Sequence, residues 1–288
     1  KGQITNLNEG IFLEIEEKLS KLKEIIGELK SVVVAFSGGV DSTLVTKVCY
    51  DILKDNSMAV TARSETYPEF EFKEAQKLAK EIGIKHLVID TSELAIEGFA
   101  DNPPDRCYFC KTELFGKLNE IAGQHGFLHV ADGANLDDTK EFRPGLKASK
   151  ELNVNSPLKE SGMTKKDVRE VSKMLKLPNW NKPAYACMSS RFPYGQSITE
   201  EKLRMVSEAE KYLRNLGLEQ FRVRHHETIA RIEALPEDIH ILTSSPTREE
   251  LFCKFKEIGF TYVTLDLEGY RSGSMNEVLS TSTTQNQQ

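Results

Sequence analysis

The chain of 288 residues sets 44 acidic side chains against 38 basic ones. The resulting net charge of −6 argues against broad affinity for nucleic acid, whose phosphates are gripped mainly by Lys and Arg. Hydrophobic and charged fractions of 39% and 28% are those of a soluble globular protein long enough for one large or two modest domains. No apolar run reaches the roughly 20 residues that span a bilayer, and no signal-peptide pattern opens the chain, so a cytoplasmic protein is expected. Five cysteines, two of them three residues apart, suit a reducing compartment and a metal or redox site better than a disulfide framework.

Apolar spacing predicts an amphipathic helix over about 13–29. It leads into Val32-Val33-Val34-Ala35-Phe36, a run that reads as a buried strand, and then without pause into Ser37-Gly38-Gly39-Val40-Asp41-Ser42. The two glycines let the backbone curl, and Asp41 or Ser42 can cap the helix that follows. A turn of this kind leaves bare N–H groups at the positive end of a helix dipole, an arrangement that favours an anion such as pyrophosphate. The hydroxyls of Ser37 and Ser42 add donors. The spacing is neither the Walker pattern nor the three-glycine dinucleotide fingerprint. The plain alternative is a strand-to-helix turn whose glycines relieve strain.

The next helix carries Leu44, Val45, Val48, Cys49 and Ile52 at helical spacing, which places Cys49 in the core. Strands are predicted at 58–62 and 86–90 around a helix at 69–82, and a helix from about 111 to 125 precedes a fourth strand at 128–131. This alternation predicts an α/β fold with a parallel sheet covered by helices on both faces. Ligands in such sheets lie beyond the carboxyl ends of the strands. Ser37 to Ser42, Ala62 to Glu65 and the segment Asp132-Gly133-Ala134-Asn135 then border one crevice, with adenine beside the second strand and phosphates at the first.

Arg106-Cys107-Tyr108-Phe109-Cys110-Lys111 places two thiols three apart at the start of a helix, after Pro103-Pro104 has ended any earlier element. A helix N-terminus stabilises thiolate, the form that binds metal. One further cysteine, Cys187, lies in a long Pro-rich loop, whereas Cys253 reads as core. Three thiolates without an obvious fourth ligand suit a [4Fe-4S] cluster with one open iron. A structural zinc completed by His125 or His129, or uncoordinated thiols, is the alternative.

Beyond a loop at Pro144-Gly145 come a helix over 164–175 and a loop over 178–195. A helix at 199–216, strands at 220–225, 229–233 and 262–265, and a helix at 248–258 make a smaller α+β unit. The expected organisation is a domain over 1–195, a small substrate-binding or oligomerisation domain over 196–279, and a disordered tail over 280–288. Arg222 and Arg224, two apart on a strand, share a face and could grip a phosphate as a bidentate clamp, or form surface ion pairs.

Ser37 to Ser42 resembles the PP-loop of the N-type ATP pyrophosphatases, which cleave ATP to AMP and pyrophosphate while adenylating an acceptor. That resemblance implies that Ser37, Gly38, Gly39, Val40, Asp41 and Ser42 hold pyrophosphate and that Asp41 helps to bind Mg2+. Four more segments narrow it: Asn102 to Cys107, Arg143 to Ala148, Ser189 to Gly195 and Arg222 to His225. Together they resemble the LarE family, which supplies sulfur to the nickel-pincer nucleotide cofactor. The resemblance implies adenylation of the carboxylates of pyridinium-3,5-biscarboxylic acid mononucleotide and their conversion to thiocarboxylates. It also implies that Arg222 and Arg224 lie where the family binds the substrate phosphate, with Ser190, Arg191 and Glu210 near the same site.

Within the family, one form sacrifices the sulfur of its own cysteine and another holds a [4Fe-4S] cluster on three cysteines. Counted back from Ser189-Ser190-Arg191, the sacrificial position falls on Ala186, and Cys187 lies one place later. The chain therefore resembles the cluster-binding form, with Cys107, Cys110 and Cys187 as ligands and hydrosulfide on the open iron as donor. Direct consumption of Cys187 stays open, because a thiolate beside an acyl-adenylate is chemically competent. Lys111 could offset charge on the α-phosphate or be a solvated helix residue. Sulfide or a sulfur-donor protein, and a homo-oligomeric partner, are expected. The rival readings are a tRNA thiolase, weakened by the acidic balance, and a nucleotide-binding metal sensor that has lost catalysis.

Overall fold

The computed structural model describes residues 2–278, apart from 141, 142 and 272. The expected tail over 280–288 lies outside the described residues. Two compact units divide the chain, one of residues 1–92 and 105–185, the other of residues 93–104 and 186 onward. The division thus falls at 185–186 where the sequence suggested 195–196, and a short stretch before the cysteine pair joins the second unit.

In the first unit the elements run α1 (Gly2–Leu29), β1 (Val32–Ala35), α2 (Val40–Leu53), β2 (Ser57–Arg63), α3 (Glu69–Ile82), β3 (Lys85–Asp90), α4 (Arg106–His125), β4 (His129–Ala131), α5 (Gly145–Glu151), α6 (Pro157–Glu160) and α7 (Lys165–Met174). The strands form one parallel sheet in the order β3-β2-β1-β4. Both faces of β1 are buried, which is why its sequence is a continuous apolar run rather than an alternation. Val32 and Val34 pack with Leu22 and Ile26 of α1, Leu44 and Val48 of α2 and Val168 of α7, whereas Val33 packs with Phe115 and Leu118 of α4 and Ala148 of α5. The chain leaves β1 toward β2 and β3, then returns to β4 on the other side of β1. That reversal opens a crevice beyond the carboxyl ends of β1 and β4, the place where open α/β sheets take ligands.

Some boundaries differ from those expected. The cysteine-bearing helix begins at Arg106 rather than 111, directly after Asp105, because Pro103 and Pro104 exclude only the residues before it. The helix after the glycine turn begins at Val40 with Gly39 in the cap position and no side-chain cap, so Asp41 and Ser42 occupy its first turn instead of capping it. At 164–175 the expected helix is present with a full capping box between Thr164 and Asp167. The short helices α5 and α6 carry too few turns to show a period.

In the second unit, a 3-10 turn at Met188–Arg191 precedes α8 (Glu200–Asn215), β5 (Phe221–His226), β6 (Ile229–Ala234), α9 (Ile239–Thr243), α10 (Thr247–Ile258) and β7 (Tyr262–Leu265). The sheet order is β5-β6-β7, antiparallel for the first pair and parallel for the second. One face of this sheet carries Phe221, Val223, His225, Ala230 and Ile232, all buried. The other carries Arg222, Arg224, Arg231 and Glu233, with Arg222 opposite Glu233 and Arg224 opposite Arg231. Residues 93–104 are tied in through the Asn102 amide, which donates to Phe192 O at 3.2 Å and Pro193 O at 2.7 Å. Cys253, expected in the core, is exposed. The buried residues of α10 are Leu251, Phe255 and Ile258, and Cys253 falls off that stripe. Among the described residues no helix is long and apolar enough to cross a membrane.

Candidate functional site

The turn from Ser37 to Ser42 joins β1 to α2 at the head of the crevice. Only one of its glycines needs a glycine conformation: Gly38 has φ +66°, and a Cβ there would meet Ala75 Cβ at 2.9 Å. The first bond of α2 runs from Thr43 N–H to Gly39 O at 2.9 Å. The amides before it, of Val40, Asp41 and Ser42, therefore have no acceptor within the helix. Ser42 Oγ accepts from Ser37 N–H at 3.3 Å, donates to Gly39 O at 3.2 Å and lies 3.2 Å from Ser37 Oγ. The two hydroxyls thus sit side by side at the mouth of the helix.

The loop after β4 closes onto this turn. A Cβ on Gly133 would lie 2.8 Å from Ser42 N, so glycine is what lets the two backbones touch. Asp132 turns its carboxylate inward, where it accepts from Ala134 N–H and from Ser149 Oγ, each at 3.0 Å. Asn135 is the hub: its amide donates to Asp41 Oδ1 at 2.9 Å while its Oδ1 accepts from the amides of Asp137 and Asp138. Burial pushes the Asp41 carboxyl above its ordinary value, Asn135 pulls it back by donating to it, and the nearby Asp138 pushes it up again. A half-buried carboxylate stripped of part of its hydration is a good match for a cation. Ala62 sits near the end of β2, half-buried, in register with Ile89 of β3.

Lys111 is half-buried on α4, its ammonium 5.0 Å from the centre of the Phe115 ring. Gly145 at the start of α5 comes so near that a Cβ there would meet Lys111 Cγ at 2.9 Å. Lys111 is therefore packed on its stem and is not a fully solvated residue. One turn earlier, Cys107 is exposed and Cys110 half-buried, three apart on α4 and so on one helix face. That face fits two corners of a thiolate site. Among the described residues no group of three or more His, Cys, Asp or Glu side chains converges to hold a metal ion.

Cys187, in the second unit, is exposed and immediately precedes the Met188–Arg191 turn. Its backbone is held by Arg191, whose side chain is fully buried. Arg191 donates to Ala186 O at 2.8 Å and Cys187 O at 3.2 Å, and its remaining donors form a two-pronged pair with Glu210 at 2.8 and 2.9 Å. Glu210 accepts in turn from Val223 N–H at 3.1 Å, tying α8 to β5. Ser190 Oγ donates to Cys187 O at 2.9 Å.

The two strand arginines do share a face, as the spacing requires, but neither is an exposed ion pair. Arg224 is buried and forks onto Glu233 at 3.0 and 2.7 Å, with further bonds to Ser190 O at 2.7 Å and Ser274 Oγ at 2.8 Å. Arg222, also buried, lies 5.1 Å over the Tyr270 ring and donates to Phe221 O at 2.7 Å. Asn135 was placed at the crevice by its sequence segment, but its bond to Asp41, 94 residues away along the chain, was not legible. Glu233 gave no sequence signal of its own, since its partner Arg224 lies on the neighbouring strand.

A family model described as NAD synthase matches residues 13–104. Pyridinium-3,5-bisthiocarboxylic acid mononucleotide synthase of Lactiplantibacillus plantarum is 42% identical, over 91% of this chain and 95% of its own length. An uncharacterized protein of Synechocystis is 48% identical over 92% of this chain and 99% of its own. One of Methanocaldococcus jannaschii is 33% identical over 89% and 98%.

Proposed function

Since the chain belongs to the LarE family of pyridinium-3,5-bisthiocarboxylic acid mononucleotide synthases, we propose that it adenylates pyridinium-3,5-biscarboxylic acid mononucleotide with ATP and replaces the activated oxygen by sulfur. It is an enzyme with the PP-loop of the ATP pyrophosphatases. The observation that carries the substrate reading is the cradle from Ser37 to Ser42 in a chain 42% identical to that synthase along nearly its whole length.

The chemistry follows from leaving groups. A carboxylate is a poor acyl donor, because oxide leaves badly. Attack of its oxygen on the α-phosphorus of ATP expels pyrophosphate and gives an acyl-adenylate. Hydrosulfide then adds to the carbonyl carbon, AMP leaves with the original carboxylate oxygen, and a proton is lost to give the thiocarboxylate. The amides and hydroxyls of Ser37 to Ser42 stabilise the charge that develops on pyrophosphate. Mg2+, held at the half-buried Asp41 carboxylate, would neutralise the same phosphates. Lys111 is assigned to the α-phosphate, Ala62 and Gly133 to the walls of the nucleotide site. Asp132 shapes the turn. Arg222 and Arg224, with Ser190, Arg191 and Glu210 behind them, are assigned to the substrate phosphate.

For the sulfur, the spacing of Cys107 and Cys110 on one helix face and the departure of Ala186 from the sacrificial pattern support a cluster held by these two thiols and Cys187. A [4Fe-4S] cluster so bound would supply sulfur as hydrosulfide from its open iron. A second reading is favoured by the exposure of Cys187, which leaves its thiol available for direct consumption.

Anaerobic incubation with ATP, Mg2+, sulfide and the dicarboxylate, followed by phosphate analysis and intact mass, tests both steps. Pyrophosphate and AMP should appear only with the mononucleotide present, and the chain should keep its mass. Absence of pyrophosphate would overturn the adenylation, and loss of one sulfur at Cys187 would replace the cluster reading by the sacrificial one.

A further inference from the structure

Four consecutive carbonyl oxygens at the head of the cradle each accept a hydrogen bond from a side chain, and the donors come from separate segments. Thr61 Oγ1 on β2 donates to Phe36 O at 2.8 Å, and the Tyr67 hydroxyl, between β2 and α3, donates to Ser37 O at 2.8 Å. Asn179, past α7, donates through Nδ2 to Gly38 O at 3.1 Å, and Ser42 Oγ donates to Gly39 O at 3.2 Å. Across a trans peptide plane the carbonyl and the next N–H point opposite ways. Each held oxygen of Ser37, Gly38 and Gly39 therefore turns the amide that follows it, of Gly38, Gly39 and Val40, away from that oxygen's donor. A flipped plane would instead present a carbonyl oxygen to the anion. The risk is greatest at Gly38, since a residue without Cβ flips at low cost.

We propose that Thr61, Tyr67 and Asn179 are positioning residues that lock the carbonyls of this turn and so keep its amides aimed at pyrophosphate, a role that rests on reading the turn as the pyrophosphate site. Asn179 gives the strongest support. It is 4% exposed, its Nδ2 serves Gly38 O and also Thr43 Oγ1 at 3.0 Å, and its buried Oδ1 accepts no hydrogen bond from the described residues. An unpaired buried acceptor is costly, and the structure carries that cost at the residue whose donor side holds the turn. The segment bearing Asn179 is itself strapped down. Arg169 donates to Trp180 O at 3.1 Å and Lys182 O at 2.8 Å, while the Lys182 ammonium sits 2.6 Å from Glu71 and 2.8 Å from Glu74. Burial, with help from Glu71 and Glu74, pushes the Tyr67 phenol far above its ordinary value, so its hydroxyl remains a donor at any working pH.

The test is calorimetric titration of Mg-pyrophosphate and, separately, of AMP into the full chain and into Thr61→Val, Tyr67→Phe and Asn179→Ala. Each variant should bind pyrophosphate about five- to tenfold more weakly, the factor expected for one lost hydrogen bond, with Asn179→Ala the weakest. AMP affinity should stay within about twofold, since AMP lacks the two phosphates the turn is read to hold. Thr61→Ser should restore binding by restoring the hydroxyl. Asn179→Asp should bind worse than Asn179→Ala near neutral pH and recover on acidification, because only the protonated acid can donate to Gly38 O. If the parent chain binds no pyrophosphate, the pyrophosphate reading itself falls. If the parent binds it and the three variants bind it equally well, or lose AMP in the same proportion, the positioning role alone is overturned.

Discussion

The two regions proposed to take anions are wired in opposite ways. In the cradle of the first unit the positive potential comes from backbone amides, and neutral side chains hold the carbonyls out of the way. No counter-charge is needed, so nothing has to be displaced when an anion arrives. In the second unit the potential comes from buried guanidinium groups, and burial of such charges is tolerable only with partners. Glu210 and Glu233 accordingly occupy the forks of Arg191 and Arg224. A phosphate there would have to share an arginine that already holds a carboxylate. The first region leaves its amides without a counter-charge, and the second is neutralised in advance.

The sharpest way to break this contrast is Asp41→Asn. Adenylation should fall on the order of 10²–10³-fold, the scale for removing one group that stabilises developing charge, as read by pyrophosphate release. Stability should move the other way. The native Asp41 carboxyl lies above its ordinary value, so the folded state binds the proton more readily, and stability is lost as pH rises from the ordinary value through the raised one. Removing that charge should raise the melting temperature at neutral pH.

In the second unit, Arg191→Met should destabilise by about 3–5 kcal/mol in denaturant titration, because it takes the guanidinium charge away from the buried Glu210 carboxylate. Arg191→Met with Glu210→Leu should cost less than the single change. A double variant that costs more would mean that the pair is not acting as a neutral unit.

Gly38→Ala comes next, at about 1–3 kcal/mol for a positive φ, with contact against Ala75 added. Its effect on ATP binding should exceed its effect on substrate binding, since only the cradle is disturbed. The smallest effect is on pH dependence. Burial holds the His225 and His226 imidazoles below their ordinary value, with Lys202 adding to this at His225 and Arg231 at His226. The unfolded chain then binds more protons, so their contribution to stability is lost as pH falls from the ordinary imidazole value through the lowered ones. In the first unit one imidazole, that of His86, is lowered by burial in the same way, and Asp41 works in the opposite sense. Calorimetric scans between pH 7.5 and pH 5 should show the second unit losing ground to the first.

Much of the first region was legible in sequence because its logic is local. Val32 to Phe36 announces a strand buried on both faces, Gly38 a turn, and the helix that follows supplies the amides. The locks on that turn were not legible, since Thr61, Tyr67 and Asn179 meet consecutive carbonyls from places 25 to 141 residues away along the chain. The second region was half legible. Period-two spacing put Arg222 and Arg224 on one face. Nothing in a single strand could show that Glu233 on the neighbouring one already occupies Arg224, or that Arg191 would spend its donors on Glu210 and the backbone of Ala186 and Cys187.

The central claim is that a carboxylate oxygen of the mononucleotide attacks the α-phosphorus at the cradle. It is tested most directly by turnover with substrate labelled with ¹⁸O in its carboxylates and mass analysis of the nucleotide product. The account predicts AMP carrying one ¹⁸O for each thiocarboxylate formed. Unlabelled AMP, or label in the phosphate released with ADP, would contradict it.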